Sequence, residues 1–539
     1  MERRSWWKSL VPVSLILSLS FAGPAAAEAN KAAPKTAPAP KAAKPAVAVP
    51  KAAPKPGGRL KIAVALDADQ LGDPVARPFS SMGRRFSGAG IETLLRYDAQ
   101  GRLVPWLAKE WKVAKDLAWV TLTLRSGVKF HDGTDFNAEA VRWNLERYRT
   151  STNPELKAVS SVEVVNDSTV KLNLSEWSST LVDTLADYPG MMISPTAFQK
   201  AGSDGIKTNP VGTGPFKFAS WQRDVGAKYE KFEGYWQKGK PYLDGIEWVV
   251  IKDPMSRIAA FRAGEVNATL IVEPKEVNEL EKEGKYTFST GGLSAMAICL
   301  VGDSGHANSP FADVRVRRAV SHAIDAKSLV DALTRGFGRV SNQYALVGSW
   351  GQNPNVKGYP YDPAKAKKLL AEAGYPNGFK AKLVAPSWGL FTYPVPVFQE
   401  ALRKVGIEVE IETVDQIRHK TILHNGWQNA LMMQPGSLVS PDVTNNLVVY
   451  ASCRSYLKGT MACPDDYNAA LGQALAAKDF ETKKKWTWEA QKLLVDKYAL
   501  FNFAYNVPRM NAFHQEVRDT GFGATTDTQW TPEDAWIGR

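Results

Sequence analysis

Two short patterns in the chain pair a serine with a lysine, as enzymes that activate a serine hydroxyl do. Ser126 with Lys129, and Ser455 with Lys458, match Ser-x-x-Lys. Enzymes with this spacing also carry Ser-Asp-Asn and Lys-Thr-Gly motifs, and neither is present here. Gly-x-Ser-x-Gly, the phosphate-binding Walker loop and His-Glu-x-x-His are absent as well. The two serine–lysine patterns therefore predict surface turns and no catalytic site.

Histidine and cysteine, the usual ligands of transition metals, are sparse and poorly spaced. His419 and His424 are five positions apart, whereas side chains that share one helix face are three or four apart. The three cysteines, Cys299, Cys453 and Cys463, do not follow a zinc-binding spacing, and they are too few for a disulfide scaffold. The sequence predicts neither a metal centre nor a bound cofactor.

The remainder of the sequence reads as strands interleaved with helices. Leu60, Ile62, Val64 and Leu66 alternate as in a half-buried strand, and several later segments repeat that pattern. Helices are predicted to begin after the capping residues Asn137, Asp313 and Asp362. The helix that follows Asp362 is predicted to end at Gly374. Regular alternation of strands and helices predicts an α/β fold.

The composition is that of a globular protein. Of 539 residues, 44% are hydrophobic and 23% are charged, which excludes a fibre or a wholly disordered chain. The net charge is +12, but nine basic and two acidic side chains lie in residues 1–56, so the rest of the chain is only weakly basic. A dedicated nucleic-acid-binding protein concentrates its basic residues on the folded body. We therefore expect no nucleic-acid partner.

Residues 1–27 have the organisation of an export signal. Arg3, Arg4 and Lys8 precede an uncharged apolar run, and Ala25-Ala26-Ala27 supplies the small residues of a cleavage site. The pair Arg3-Arg4 leaves both the general and the twin-arginine export routes open, and a retained N-terminal anchor is the alternative. No cysteine follows the apolar run, so we expect a periplasmic protein that is not a lipoprotein.

Residues 28–56 consist almost entirely of Ala, Pro and Lys. Proline removes backbone donors, and this composition provides no side chains for a core. The segment is predicted to be a flexible linker.

Several ordered motifs resemble those of the family 5 extracellular solute-binding proteins of ABC importers, the peptide and nickel type. Their order and spacing carry the resemblance over about 320 residues of the chain. The motifs span residues 57–63, 91–111, 130–134, 209–216, 232–236, 261–265, 313–319 and 361–376.

The resemblance implies a two-lobed periplasmic-binding-protein fold of three domains that closes about a hinge. Domain I would comprise residues 57–88, 208–308 and 500–539. Domain II, residues 89–207, would be inserted into domain I, and domain III would span residues 309–499. The two segments that cross between the lobes would be 295–300 and 500–505.

The resemblance also implies a binding function without a catalysed reaction. The protein would be a monomeric receptor, not an enzyme, that captures a small solute between its lobes and delivers it to the permease subunits of an ABC importer. Two alternatives stay open: a secreted hydrolase, and a peptide-binding partner of a chemoreceptor or a chaperone-like protein. The sequence does not identify the solute.

The stretch that corresponds to the ligand-binding strand of the relatives lacks a charge. Peptide-binding members have an Asp there that pairs with the peptide ammonium, whereas residues 431–440 contain no carboxylate, and Ser437 lies near the missing Asp. Burying an ammonium without a counter-charge costs several kcal/mol. We therefore expect a small polar or apolar organic solute, or a blocked peptide, rather than a free zwitterionic dipeptide.

The candidate solute contacts come from both lobes. Beyond the first strand, the loop from Asp67 to Asp73 faces the cleft in relatives, because strand carboxyl ends present ligand sites in open α/β sheets. In domain III the candidates are aromatic walls and the residues near Ser437; core packing is the other role open to each aromatic ring. The full candidate set is Asp69, Gln70, Trp350, Trp388, Tyr393, Trp427, Gln434, Gly436 and Ser437.

The resemblance extends to one disulfide. Dipeptide-binding relatives carry a cysteine pair at the place of Cys453 and Cys463, and export would expose both thiols to an oxidising compartment. Cys299 lies in an apolar run and is expected to be a free, buried thiol. Three free thiols are the alternative.

Overall fold

The structure is a computed structural model that describes residues 53–289, 295–388, 391–437, 440–453, 455, 457, 459–524 and 529–538. The export signal and most of the linker, residues 1–52, lie outside these ranges, as do the side chains of Met296 and residues 435–437. In the described part, no helix has the length and apolar character needed to cross a membrane.

A seven-stranded sheet forms around the first strand of the chain. This strand pairs in parallel with two neighbours, and the outer strands are antiparallel. Leu60, Ile62 and Val64 are buried against Trp248 and Phe86, as their alternation predicts. Leu66, the fourth residue of the predicted pattern, lies beyond the end of the strand and is 65% exposed. In pairing order the strands are β12 (Tyr286–Ser289), β19 (Met510–His514), β11 (Ala268–Val272), β1 (Arg59–Val64), β10 (Gly245–Val250), β9 (Gly226–Lys231) and β8 (Phe216–Gln222).

A six-stranded sheet forms the second large layer. Its strands are β14 (Arg339–Val340), β18 (Asn502–Pro508), β13 (Ala295–Gly302), β17 (Ala430–Ser437), β15 (Phe379–Pro386) and β16 (Ile407–Val414). The faces of the strand β17 are both buried: Leu431 and Met433 lie in one hydrophobic core, and Met432 lies in the other. The sheet is therefore covered on two sides, as parallel strands such as β15 and β16 require.

A four-stranded antiparallel sheet carries a separate core. Its strands are β4 (Ala108–Val113), β5 (Trp119–Leu124), β7 (Thr169–Leu174) and β6 (Val159–Asn166). Strands β6 and β7 form the hairpin that the turn residues Asn166, Asp167 and Ser168 predict. Two short strand pairs complete the β-structure: β2 (Leu95–Tyr97) with β3 (Leu103–Pro105), and β20 (Val517–Arg518) with β21 (Trp536–Ile537).

Helices cover the sheets, and their first turns confirm the predicted caps. The side chain of Asn137 accepts a hydrogen bond from the amide of Ala140, and Asp362 does the same for Lys365. The helices are α1 (Ser81–Ser87), α2 (Ala138–Arg149), α3 (Pro195–Thr208), α4 (Pro254–Arg262), α5 (Pro274–Glu283), α6 (Val314–Ala323), α7 (Ala326–Thr334), α8 (Pro363–Glu372), α9 (Val395–Lys404), α10 (Gln416–Asn425), α11 (Val443–Ala451), α12 (Asp465–Leu475) and α13 (Phe480–Lys492).

We call the part of the molecule that carries the seven- and four-stranded sheets the first lobe, and the part that carries the six-stranded sheet the second lobe. The chain passes between the lobes twice, from β12 to β13 and from β18 to β19. Strands β13 and β18 pair with each other inside the second lobe. The exact boundaries of the three domains stay a prediction.

Candidate functional site

The loop that follows β1 is held by its own polar side chains. Gln70 is buried, and its Nε2 donates to the carbonyls of Ala76 at 2.8 Å and Pro78 at 2.9 Å. The carboxylate of Asp69 accepts hydrogen bonds from the amide and the hydroxyl of Ser80. Both candidate residues thus stabilise the loop, and a direct contact of either with a solute stays a prediction.

Strand β17 carries three further candidates at its carboxyl end. Gln434 is only 2% exposed, and its Oε1 has no hydrogen-bond partner among the described residues. Gly436 and Ser437 pair through their backbones with Ala297 and Met296 of β13. A buried amide oxygen that has lost its water normally finds a donor, so Gln434 is the residue of this strand with unused hydrogen-bonding capacity.

The four candidate aromatic rings divide into core and surface positions. Trp427 is buried in a hydrophobic core, and its Nε1 donates to the carbonyl of Ala430, so it occupies the core position that was the other role open to it. Trp388 is half-buried and packs edge-on against Phe391 and His419. Tyr393, in contrast, is 56% exposed. Trp388 and Tyr393 are therefore the two rings of this set that are not buried.

Tyr393 lies on a face where the two lobes approach each other. The negative charge of Glu273, which precedes α5 in the first lobe, raises the pKa of the Tyr393 phenol. The pKa of Glu273 is itself raised, first by burial and then by the charge of Glu276. The charge of a carboxylate in the first lobe therefore acts on a phenol of the second lobe. The sequence analysis did not single out Glu273, and its place before a Pro-initiated helix is the one local signal it carries.

Trp350 lies elsewhere, at a second contact between the lobes. It is buried, its amide donates to the carbonyl of Gln100, and its Nε1 donates to the carbonyl of Gly101 at 3.1 Å. Gln100 and Gly101 belong to the first lobe, between β2 and β3. Trp350 therefore joins the lobes through two backbone carbonyls.

The same contact contains a buried ion cluster, which we call the Lys483 cluster: Lys483, Asp183 and Asp442. The ammonium of Lys483 donates to Asp183 at 2.8 Å, to Asp442 at 2.6 Å and to the carbonyl of Ser179 at 3.1 Å. Burial raises the pKa of Asp183 to about 7, because the nearby charge of Asp442 adds to the desolvation that Lys483 only partly offsets. The sequence analysis missed the cluster, because its members are far apart in the chain.

A cavity of about 310 Å³ lies beside the Lys483 cluster, between the lobes. Its walls combine aromatic rings with charged side chains, and the indole nitrogens of Trp177 and Trp350 donate hydrogen bonds to the carbonyls of Ala477 and Gly101. The ring-bearing residues of its lining are Trp111, Trp177, Trp350 and Phe480.

The cysteines are arranged as one pair and one isolated thiol. Cys453 and Cys463 form a disulfide with a Cα–Cα distance of 5.5 Å. Cys299 is fully buried in β13, and burial raises the pKa of its thiol, which keeps it protonated and unreactive. Among the described residues, no group of three His, Cys, Asp or Glu side chains is placed to hold a metal ion.

Comparison with known proteins identifies the family. The model of the bacterial extracellular solute-binding proteins, family 5 (Middle), matches residues 102–456. The chain belongs to this family. A curated relative, the glutathione-binding protein GsiB of Pectobacterium atrosepticum, is 33% identical over 356 residues, which are 64% of this chain and 66% of that protein. The match thus spans just under two thirds of the length of the relative.

Solved structures agree in fold over nearly the whole molecule. The periplasmic protein DppA of Helicobacter pylori, in complex with the peptide STSA, superposes with a TM-score of 0.73 at 23% identity, over 90% of this chain and 99% of that one. AgaA of A. tumefaciens R10, in complex with agropinic acid, gives 0.69 at 25% identity, over 89% and 99%. The prediction of a two-lobed α/β binding-protein fold is confirmed.

Proposed function

We propose that this protein is the exported solute-binding receptor of an ABC importer, and that it captures a peptide-like solute between its two lobes. The observation that supports this most strongly is the family match over residues 102–456, on a body whose chain passes twice between two lobes, from β12 to β13 and from β18 to β19. The members it resembles are binding proteins, so the proposal includes no catalytic step.

Glutathione is the first solute to test. The curated relatives bind it, and its chemistry suits a site without a carboxylate at residues 431–440. In a dipeptide the terminal ammonium is separated from the carboxylate by the peptide bond. In glutathione, the γ-linked glutamate carries an ammonium and a carboxylate on the same carbon. The solute therefore brings its own counter-charge, and the receptor avoids burying an unpaired ammonium.

The remaining parts of the proposal concern export and delivery. We propose cleavage after Ala27, a linker over residues 28–56 and release into the periplasm without a lipid anchor. The closed receptor would then dock on the permease subunits in the inner membrane. N-terminal sequencing of the periplasmic protein tests the cleavage: a chain that begins at Glu28 supports it, and a chain that still begins at Met1 contradicts it.

Titration calorimetry tests the solute. Mass spectrometry first identifies any molecule released from the protein on unfolding, and the emptied protein is then titrated with glutathione and with the dipeptide Met-Leu. We expect glutathione to bind at least about tenfold more tightly, since each factor of ten corresponds to about 1.4 kcal/mol. Equal binding of several unmodified dipeptides would contradict the solute class. Turnover of either peptide during the titration would contradict a receptor without chemistry.

A further inference from the structure

The lobes of this structure are joined by direct hydrogen bonds at the contact that contains Trp350. Besides the two bonds of Trp350, the backbone of Ser179 in the first lobe donates to the carbonyl of Leu475, and its hydroxyl donates to the carbonyl of Ala474. The hydroxyls of Tyr97 and Ser440 lie 3.2 Å apart. These bonds join segments that are distant in the chain, and they form only when the lobes are together.

The Lys483 cluster lies at the centre of this contact, and its two carboxylates belong to different lobes. Asp442 caps α11 in the second lobe and is fully buried there, so its pair with Lys483 is complete within that lobe. Asp183 lies in the short 3-10 turn Val182–Ala186 of the first lobe and is 12% exposed. Opening the lobes would thus leave the Lys483–Asp442 pair intact and would return Asp183 to water.

We propose that Asp183 and Lys483 form a latch that holds the lobes closed, and that the latch tightens when the surroundings become more acidic. Lys483 has its three donors directed at Asp183, Asp442 and the carbonyl of Ser179, so the closed contact satisfies a buried ammonium completely. The consequence for solute affinity rests on the proposed function, whereas the closure itself does not.

The direction of the pH effect follows from the charges that face Asp183. The strongest are Lys483 and Asp442 from the second lobe, and Tyr97 of the first lobe lies beside them with a buried phenol. Arg102, Lys478 and Asp479 line the same cavity as Asp183. With both carboxylates ionised, the cluster carries one excess negative charge in a buried place. A proton on Asp183 removes that charge, and the neutral carboxyl still accepts the hydrogen bond from Lys483.

The sign of the linkage is therefore defined. In this contact, burial raises the pKa of Asp183 from its ordinary value to about 7, so the closed form should bind the proton more strongly than an open form in which Asp183 is in water. The proton-linked part of the contribution of Asp183 to closure is full below pH 4, declines as the pH rises towards 7 and is lost above it, whereas the hydrogen bond from Lys483 is present at either pH. Between pH 7.5 and pH 5.5, acidification should shift the equilibrium towards the closed form.

Hydrogen exchange measures the latch without any solute. The amides of Ser179 and Trp350 donate across the contact, whereas the amide of Ser194 donates to Val211 inside the first lobe and serves as the internal control. After correction for intrinsic exchange rates, protection at Ser179 and Trp350 should increase at least about fivefold from pH 7.5 to pH 5.5, and protection at Ser194 should not follow it.

Two substitutions separate the charge of Asp183 from its shape. Asp183→Asn keeps the hydrogen-bond acceptor without the charge, so we expect strong protection at Ser179 that no longer changes with pH. Asp183→Ala removes the acceptor, so protection at Ser179 and Trp350 should fall about tenfold at both pH values. The matched control is Asp331→Ala, which removes the exposed partner of Lys327 and should leave both amides unchanged.

Three results would overturn the latch: unchanged protection in Asp183→Ala, a pH response in Asp183→Asn equal to that of the wild type, or a parallel response at Ser194. Glutathione affinity gives a second readout, in which Asp183→Ala should weaken binding chiefly by faster dissociation. If glutathione does not bind but the exchange results hold, then the solute assignment fails and the latch stands.

Discussion

The two places where the lobes approach each other differ in how their polar groups are satisfied. Around Tyr393, the phenol is largely in solvent and faces Glu273 of the other lobe. Around Lys483, the ammonium and both carboxylates are buried and bonded to one another. Exposed groups keep their capacity to bind a solute, whereas buried and satisfied groups contribute to holding the lobes. We therefore propose that solute selection and closure depend on different residues of the same receptor.

The largest expected effect comes from a substitution in the buried Lys483 cluster. Asp442→Ala leaves the ammonium of Lys483 without its partner inside the second lobe, and it also removes the cap of α11. Removing one partner of a buried ion pair costs about 3–5 kcal/mol. Chemical denaturation should show this loss, with the exposed-pair variant Asp331→Ala within about 0.5 kcal/mol of wild type as the control. A loss below about 1 kcal/mol would show that Asp442 is not needed by Lys483.

A second pair of variants compares a core ring with a surface ring. Trp427→Ala should lower the free energy of unfolding by about 3–5 kcal/mol, because it empties a packed core position. Trp388→Ala should cost less stability and should weaken solute binding through lost ring contact. Denaturation and calorimetry on both proteins provide the measurement. Unchanged affinity in Trp388→Ala would show that the solute lies elsewhere.

Removing the disulfide should have an intermediate effect on stability. Replacing Cys453 and Cys463 by Ser should destabilise the protein by about 2–3 kcal/mol, because the bridge restricts the unfolded chain. Thiol counting on denatured, unreduced wild type should find one reactive group, Cys299. A count of three would reject the bridge.

The smallest expected effect comes from a substitution at the carboxyl end of β17 and tests solute selection. Ser437→Asp adds a carboxylate where peptide-binding members of the family have one, so it should weaken glutathione binding by about 1–3 kcal/mol if the new charge is buried without a partner. The same variant should gain affinity for Met-Leu, because the dipeptide ammonium gains a counter-charge. Calorimetry with both peptides tests the exchange of preference, and a variant that loses affinity for both would contradict it.

Local patterns predicted much of the fold. The alternation at Leu60, Ile62 and Val64 is borne out by β1, and Asn137, Asp313 and Asp362 cap helices as predicted. These signals work because a strand repeats every two residues and a cap bonds an amide two or three residues ahead. The residues of the binding site were harder to predict, because an aromatic residue type alone does not distinguish the core position of Trp427 from the exposed position of Tyr393.

The sequence by itself determined the class of this protein: an α/β binding protein with a predicted export signal and without catalytic motifs. The tertiary structure alone decided which charges meet. Lys483 and Asp183 are 300 positions apart, and no local sequence pattern indicates that they pair. Their contact arises because the tertiary fold brings helix α13 of the second lobe against the short 3-10 turn Val182–Ala186 of the first lobe. Because both side chains are buried, the low dielectric of the contact strengthens the electrostatic interaction between them.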